Sequence, residues 1–115
     1  TVRVFLESLT RRLDEPWTLD SMADACGLGR SQFSTLCRKI TNLTPITYLG
    51  QLRMENAASL LSANPGMSVT EIAFRCGFLS SQYFAKAFRE RHGVTPSEHR
   101  KSVRGGAMTQ RGRNS

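Results

Sequence analysis

Apolar residues recur at helical spacing in two stretches of the second half of the chain, and a glycine separates the stretches. In the first, four apolar residues stand at i, i+3, i+4 and i+7, so they share one face of a helix. Gly77 follows at once, and only glycine takes a left-handed backbone conformation at little cost. The pattern therefore predicts a helix, a sharp turn and a second helix. The apolar positions are Val69, Ile72, Ala73 and Cys76, then Phe84, Ala87, Phe88 and Tyr83.

Short polar residues mark where these helices begin and end. Ser68 and Glu71 stand three residues apart, which is the spacing of a capping box, so their side chains can bind backbone N–H groups at a helix start. The second helix begins near Ser80. It stops at His92, because Gly93 follows.

The first half of the chain repeats this pattern with a slip of one residue. Up to the turn glycine the two halves match at an offset of 50 residues, and past it at an offset of 51. Such a repeat indicates two copies of one helix-turn-helix unit of about 35 residues. The first copy has its apolar positions at Leu19, Met22, Ala23, Cys26, Phe33, Leu36, Cys37 and Ile40. Identities are Ala23 with Ala73, Cys26 with Cys76, Gly27 with Gly77, Phe33 with Phe84, Arg38 with Arg89, and Thr44-Pro45 with Thr95-Pro96.

The remaining segments predict an all-α fold. A connector helix from about Pro45 to Ser62 carries Ile46, Leu49, Leu52, Ala57, Leu60 and Leu61 at a spacing suited to packing on both neighbours. A first helix through about Leu13 completes the first core. The expected domains are a first helix-turn-helix subdomain at 1–44, a linker helix at 45–63, a second subdomain at 64–101 and a disordered basic tail at 102–115.

The charge of the chain favours a polyanionic partner. Sixteen Lys and Arg against nine Asp and Glu give a net charge of +7 and a pI near 10.2. The cations cluster in three stretches without an acid, residues 25–54, 72–89 and 99–115. Charge alone leaves nucleic acid and an anionic membrane both open, and such clusters are also typical of solvated faces. The unopposed cations are Arg30, Arg38, Lys39 and Arg53, then Arg75, Lys86 and Arg89, then Arg100, Lys101, Arg104, Arg111 and Arg113.

Composition argues against several other classes of protein. With 115 residues, 39% of them apolar, the chain can build modest cores but no large enclosed active site. Cys26, Cys37 and Cys76 fit neither a disulfide framework nor a zinc pattern, so we interpret them as buried hydrophobes of a reduced compartment. No apolar run approaches the roughly 20 residues that span a bilayer. We expect a soluble cytoplasmic protein that binds no metal or cofactor, and a start at Thr1 suggests a piece of a longer chain.

In each helix-turn-helix unit, the polar face of the second helix is a candidate for binding DNA. Short hydroxyls, an amide and cations can lie close to base edges and phosphates, whereas acids would be repelled. The alternative is an ordinary solvated helix surface, which is less favoured because both helices share the pattern. The presented residues are Ser31, Ser34, Thr35 and Arg38 in the first copy, and Ser81, Gln82, Ala85, Lys86 and Arg89 in the second.

These motifs resemble a known family. The run MSVTEIAFRCGFLSSQYFAKAFRERHGVTPSEHR, at 67–100, closely resembles the signature region of the AraC/XylS family of bacterial transcription regulators. The run YLGQLRMENAASLL, at 48–61, looks like that family's linker helix, and the resemblance covers about residues 2–101. It implies a seven-helix DNA-binding domain whose third and sixth helices, about 30–41 and 80–92, enter successive major grooves of double-stranded DNA.

The resemblance also implies site residues and partners. RNA polymerase is the expected protein partner in transcription activation, and a sensing or dimerisation domain usually accompanies this one. No membrane and no catalysis are implied. By motif position, base contacts fall on Ser31, Ser34, Thr35, Ser81, Gln82, Ala85 and Lys86, and phosphate contacts on Arg30, Arg38, Ser80 and Arg89.

Three features depart from the family pattern. Cys37 stands in a usually aromatic slot, which predicts a less filled first core. His99 replaces the usual tyrosine, and a packing residue is favoured there over a pH switch. The first presented face lacks a large side chain, so we expect the second unit to discriminate more strongly between bases.

Two other functions compete with DNA binding. A protein-interaction module could dock a partner helix on the small residues of these faces. An enzyme would need Cys26 or Cys37 as a nucleophile beside a basic group. His92 and His99, the two histidines, fall at the far end of the second unit, so an enzyme is the weakest of the three hypotheses.

Overall fold

The structure, a computed structural model, describes the backbone of residues 1–109 and the side chains of residues 1–102. Within residues 1–109 it contains seven α-helices and no strand, which confirms the predicted all-α fold. The helices are α1 Val2–Ser8, α2 Leu19–Ala25, α3 Arg30–Thr41, α4 Pro45–Ala63, α5 Val69–Arg75, α6 Ser81–His92 and α7 Pro96–Thr109, with a 3-10 turn at Leu9–Arg11 after α1.

The chain divides into two compact units inside α4. The first unit is Thr1–Arg53 and the second begins at Met54. The expected linker at 45–63 coincides with α4, and each unit takes part of that helix into its own core. Each helix-turn-helix unit therefore buries its apolar faces separately.

The core of the first unit forms around Phe33 of α3. The ring of Phe5 lies between those of Phe33 and Trp17, with edge-on contacts at centroid distances of 6.0 and 5.3 Å. Leu9 and Leu13 are buried as predicted, although α1 ends at Ser8 and the chain continues as the 3-10 turn. The buried residues are Val2, Phe5, Leu6, Leu9, Leu13, Met22, Ala23, Phe33, Cys37 and Leu49.

The core of the second unit is a stack of aromatic rings between α5 and α6. Phe84 lies 5.0 Å from Phe78 and 5.7 Å from Phe88, measured between ring centroids. Two expected core residues face solvent instead: Tyr83 is 63% exposed, and Ile46, on α4, is 52% exposed. The buried residues are Met54, Ala57, Leu61, Ile72, Ala73, Cys76, Phe78, Phe84 and Phe88.

Both helix-turn-helix turns use a glycine with a left-handed backbone. Gly27 has φ 68° and Gly77 has φ 93°, which confirms the reason for a glycine at each turn. One backbone hydrogen bond closes each turn in the same way, from Leu28 N to Ala23 O and from Phe78 N to Ala73 O. The second turn then holds one more residue before its helix begins, since α3 is capped at residue 29 and α6 at residue 80. This extra residue explains the change of offset from 50 to 51.

The helix starts follow the predicted capping with one correction. Ser68 Oγ accepts from Glu71 N at 3.0 Å, but the Glu71 carboxylate binds Arg75 at 3.2 Å, so Arg75 is not unopposed. A full capping box instead opens α7. There Thr95 Oγ1 accepts from Glu98 N at 3.1 Å and Glu98 Oε1 accepts from Thr95 N at 2.9 Å.

Two of the clustered arginines serve the fold. Arg53 donates to the backbone oxygens of Leu13 and Glu15 at 3.0 and 2.8 Å. Arg100 reaches back from α7 to three backbone oxygens at the end of α4 and in the loop after it. Their guanidinium groups are therefore occupied, so the count of unopposed cations overstated the charge available to a partner.

The predicted disordered tail is partly helical. The structure continues α7 through Thr109, so residues 102–109 are in a helix, while residues 110–115 lie outside the described residues. Composition suggested disorder because the segment is rich in glycine. A helix already nucleated at Pro96 extends at a much smaller cost per residue than a new helix needs.

Candidate nucleic-acid interface

The presented face of α3 is set by what the opposite face buries. Phe33 and Cys37 are fully buried, and successive helical residues are about 100° apart. Ser31, Thr35 and Arg38 consequently lie on the far side and are exposed. Ser34, the remaining predicted residue of this face, is half-buried. The face is therefore small, polar and positively charged at Arg38.

The presented face of α6 is built in the same way around buried Phe84 and Phe88. Gln82, Lys86 and Arg89 are exposed, while Ser81 and Ala85 are half-buried. Among the side chains of residues 1–102, neither that of Gln82 nor that of Lys86 takes part in a hydrogen bond or an ion pair of the protein. Their amide and ammonium groups remain available to a ligand.

The two faces are equivalent residue by residue. The N-caps, the C-caps and the two buried positions of each helix all correspond at an offset of 51, with Phe33 matching Phe84 and Cys37 matching Phe88. Each predicted contact position of α3 therefore has a counterpart in α6. The pairs are Gly29 with Ser80, Arg30 with Ser81, Ser31 with Gln82, Ser34 with Ala85, Thr35 with Lys86, and Arg38 with Arg89.

The N-termini of the two helices differ in their capping. Ser80 Oγ accepts a hydrogen bond from Tyr83 N at 3.0 Å, which leaves its O–H as a donor. Gly29, at the equivalent position of α3, has no side chain to supply such a cap. Both helix starts direct backbone N–H groups outward, the arrangement that binds phosphate in many proteins.

Arg30 is paired with an acid that the sequence pattern did not connect to it. Its Nε lies 3.4 Å from Asp20 Oδ1, and both side chains are about two-thirds exposed. An exposed pair of this kind contributes about 0–1 kcal/mol, so it restrains Arg30 weakly. A phosphate near α3 would compete with Asp20 for this guanidinium.

The sixth helix also has acidic neighbours. Arg89 lies near Glu98, whose pKa is lowered mainly by its hydrogen bonds with Thr95 and to a lesser extent by the charge of Arg89. Glu90 is exposed on α6, at a position equivalent to Lys39 of α3. The presented residues themselves include no acid, as predicted, but the flank of α6 is less positive than that of α3.

Sequence reasoning missed exposed residues at the rim of both faces. Gln32 and Tyr83 occupy equivalent positions in the first turns of α3 and α6, and both are exposed. The offset of 51 would have paired them. Instead, the apolar ring of Tyr83 suggested a core position, whereas Phe78 already fills the space beside Phe84.

The cysteines are poorly suited to nucleophilic chemistry. Burial raises the pKa of Cys26, and it also raises the pKa of Cys37, where a hydrogen bond with Thr41 only partly opposes the rise. A higher pKa leaves less thiolate at neutral pH. Among the described residues, the structure shows no cluster of His, Cys, Asp and Glu able to hold a metal, and no helix suited to crossing a bilayer.

Comparison with known proteins agrees with the geometry. A family model described as a helix-turn-helix domain matches residues 22–102, more than half of the chain. AlkR, a transcriptional regulator of Acinetobacter baylyi, is 36% identical over 87 residues, and RclR, a transcriptional activator of Escherichia coli, is 36% identical over 88 residues. The chain belongs to the AraC/XylS family.

The AraC-type relatives are longer proteins. Each match covers 76% of this chain but only 28% of AlkR and 31% of RclR, so the chain spans less than a third of these relatives. Among solved structures, the DNA-binding domain of AdpA, described as a global transcriptional factor, was determined in complex with a target DNA. It superposes with a TM-score of 0.85 at 26% identity, over 96% of this chain and 97% of that one.

Proposed function

We propose that this AraC-type domain binds double-stranded DNA sequence-specifically and regulates transcription, with α3 and α6 in successive major grooves. The observation that carries the proposal is the equivalence of the two presented faces. Each joins polar side chains to an arginine at the same helical position, opposite a buried apolar face. The family relationship and the DNA complex of AdpA support the same conclusion.

Within this proposal, the presented residues divide into base-reading and phosphate-binding sets. Gln82 is suited to adenine, whose N6 and N7 can pair with an amide in a bidentate manner, and Lys86 is suited to guanine. Ser31 and Thr35, the equivalents in α3, are shorter and less selective. We therefore assign the stronger base discrimination to α6. The full base-reading set is Ser31, Ser34, Thr35, Ser81, Gln82, Ala85 and Lys86, and the phosphate set is Arg30, Arg38, Ser80 and Arg89.

The wider role follows the AraC-type relatives. We propose that the domain works in the bacterial cytoplasm as part of a longer regulator that includes a sensing or dimerisation domain. The support is that AlkR and RclR are more than three times as long as the matched segment. Activation through RNA polymerase is proposed on the same basis, since RclR is named as an activator.

The test begins with selection of bound duplexes from a random pool, followed by fluorescence anisotropy at several salt concentrations. Three phosphate-binding arginines predict that log K falls with log salt at a slope of about −3. Arg38→Ala should reduce that slope by about 1 without changing base preference. Arg91→Ala is the control, because Arg91 lies about 200° around α6 from Arg89.

Base reading is tested with equivalent substitutions in the two helices. Gln82→Ala should cost about 5- to 150-fold in affinity for the selected duplex and relax preference at one base pair. Ser31→Ala, at the equivalent position, should cost less. A flat salt response, together with intact affinity in Arg38→Ala, Gln82→Ala and Ser31→Ala, would instead support a protein-interaction module.

A further inference from the structure

Leu79 is the most exposed large apolar side chain of the residues whose side chains the structure describes, at 91%. It is the extra residue of the second turn, lying between buried Phe78 and the N-cap Ser80. The turn of the first unit has no counterpart to it. The insertion therefore adds an apolar group at the start of α6 and nowhere in the first unit.

The fold gives Leu79 no packing role. An apolar residue just before an N-cap often packs on the fourth helical residue, which here is Phe84. Phe84 is fully buried, however, and Phe78 occupies the neighbouring position with a centroid distance of 5.0 Å. Leu79 remains in solvent, where an apolar side chain gains nothing from folding.

Its neighbours are those of the proposed DNA-binding face. Ser80 and Ser81 follow Leu79 directly, and Gln82, the proposed adenine reader, comes next. A leucine offers neither a hydrogen bond nor a charge, so it is unsuited to phosphates. The apolar group that base edges display in the major groove is the C5-methyl group of thymine.

We propose that Leu79 is a specificity-determining residue that reads a thymine through its C5-methyl group at the edge of the α6 half-site. The inference rests on the proposed function, because it requires the start of α6 to enter the major groove. It adds an apolar contact to a face whose other proposed readers are polar. It also assigns a use to the one-residue difference between the two turns.

The experiment replaces each thymine of the selected duplex, one at a time, with deoxyuridine, which lacks only the methyl group. One replacement should weaken wild-type binding about fourfold, the contribution of one buried methyl group. Leu79→Ala should show the same loss on the unmodified duplex and no response to that replacement. Leu79→Met, which keeps an apolar contact, should still respond. Val4→Ala is the control, because Val4 is 67% exposed on α1.

The outcomes separate this inference from the proposed function. If the wild-type chain binds no duplex in a salt-dependent way, both are overturned. If it binds DNA but Leu79→Ala keeps full affinity, or keeps the wild-type response to every deoxyuridine, only the role of Leu79 is overturned. Such a result would leave the exposed leucine to a protein partner.

Discussion

Removal of the Arg100 side chain should destabilise the second unit strongly although it leaves the aromatic core intact. Arg100 Nε donates to Leu61 O at 3.1 Å, and Nη2 donates to Asn64 O and Met67 O at 3.2 and 2.6 Å. Leu61 is in the last turn of α4, where carbonyl groups have no partner within the helix. One guanidinium thus ties α7 to the end of α4 and to the following loop.

The expected loss of unfolding free energy follows from the backbone carbonyls that Arg100→Met would leave without this donor. Asn64 O keeps a second hydrogen bond, from Met67 N at 3.0 Å, so the substitution affects chiefly two acceptors. A hydrogen bond from a charged donor contributes about 1.5–3 kcal/mol. Because the site is only half-buried, we take the lower value for each, which predicts a loss of about 3 kcal/mol.

Urea unfolding followed by circular dichroism at 222 nm measures this loss. The matched control is Lys101→Met, which removes one exposed positive charge from the next residue of α7. Trp17, the chain's one tryptophan, reports separately on the first unit through its fluorescence, and its transition should shift less. Unfolding free energies of Arg100→Met and Lys101→Met that agree within about 0.5 kcal/mol, the ordinary effect of a surface substitution, would refute this role of Arg100.

Three further predictions concern the turn, the ion pair and pH. Gly77→Ala should destabilise the second unit by about 1–2 kcal/mol, since an alanine at φ 93° is strained; unchanged urea unfolding would contradict this. Asp20→Asn should release Arg30 and raise DNA affinity severalfold at low salt, and an equal or weaker affinity in anisotropy would count against competition for that guanidinium. The pKa of His92 is lowered below its ordinary value of 6.5, chiefly by burial and further by the charges of His99 and Arg91. Folding therefore disfavours its protonation, so its contribution to stability is present above pH 6.5 and lost as pH falls below that value. The urea midpoint should drop between pH 7.5 and 5.5, and less in His92→Phe; equal drops in both proteins would refute the assignment.

Much of the fold could be predicted because it depends on local periodicity. The apolar stripes around Phe33 and Phe84 define which side of each helix is buried, and the side that carries the predicted contact residues follows by exclusion. The turn glycines could be predicted because few other residues adopt the positive φ angles that these turns require. The shift from offset 50 to 51 was visible in the sequence, although only the structure locates it at Leu79.

Contacts between distant residues could not be predicted in this way. Arg100 and Leu61 are 39 residues apart, and Arg53 and Leu13 are 40 apart, so no helical period connects them. Tyr83 looked like a core residue because it is aromatic and adjoins Phe84, but neighbouring helical residues point about 100° apart. Phe78, whose ring centroid lies 5.0 Å from that of Phe84, occupies the position beside Phe84 instead.

The proposed function requires α3 and α6 to contact DNA through their presented faces. Titration of isotope-labelled protein with the selected duplex, followed by NMR at physiological salt, tests this residue by residue. We expect the largest chemical-shift changes at Ser31, Thr35, Gln82 and Lys86, while residues of α1 change little. Larger changes on α1 than on α3 and α6 would contradict it.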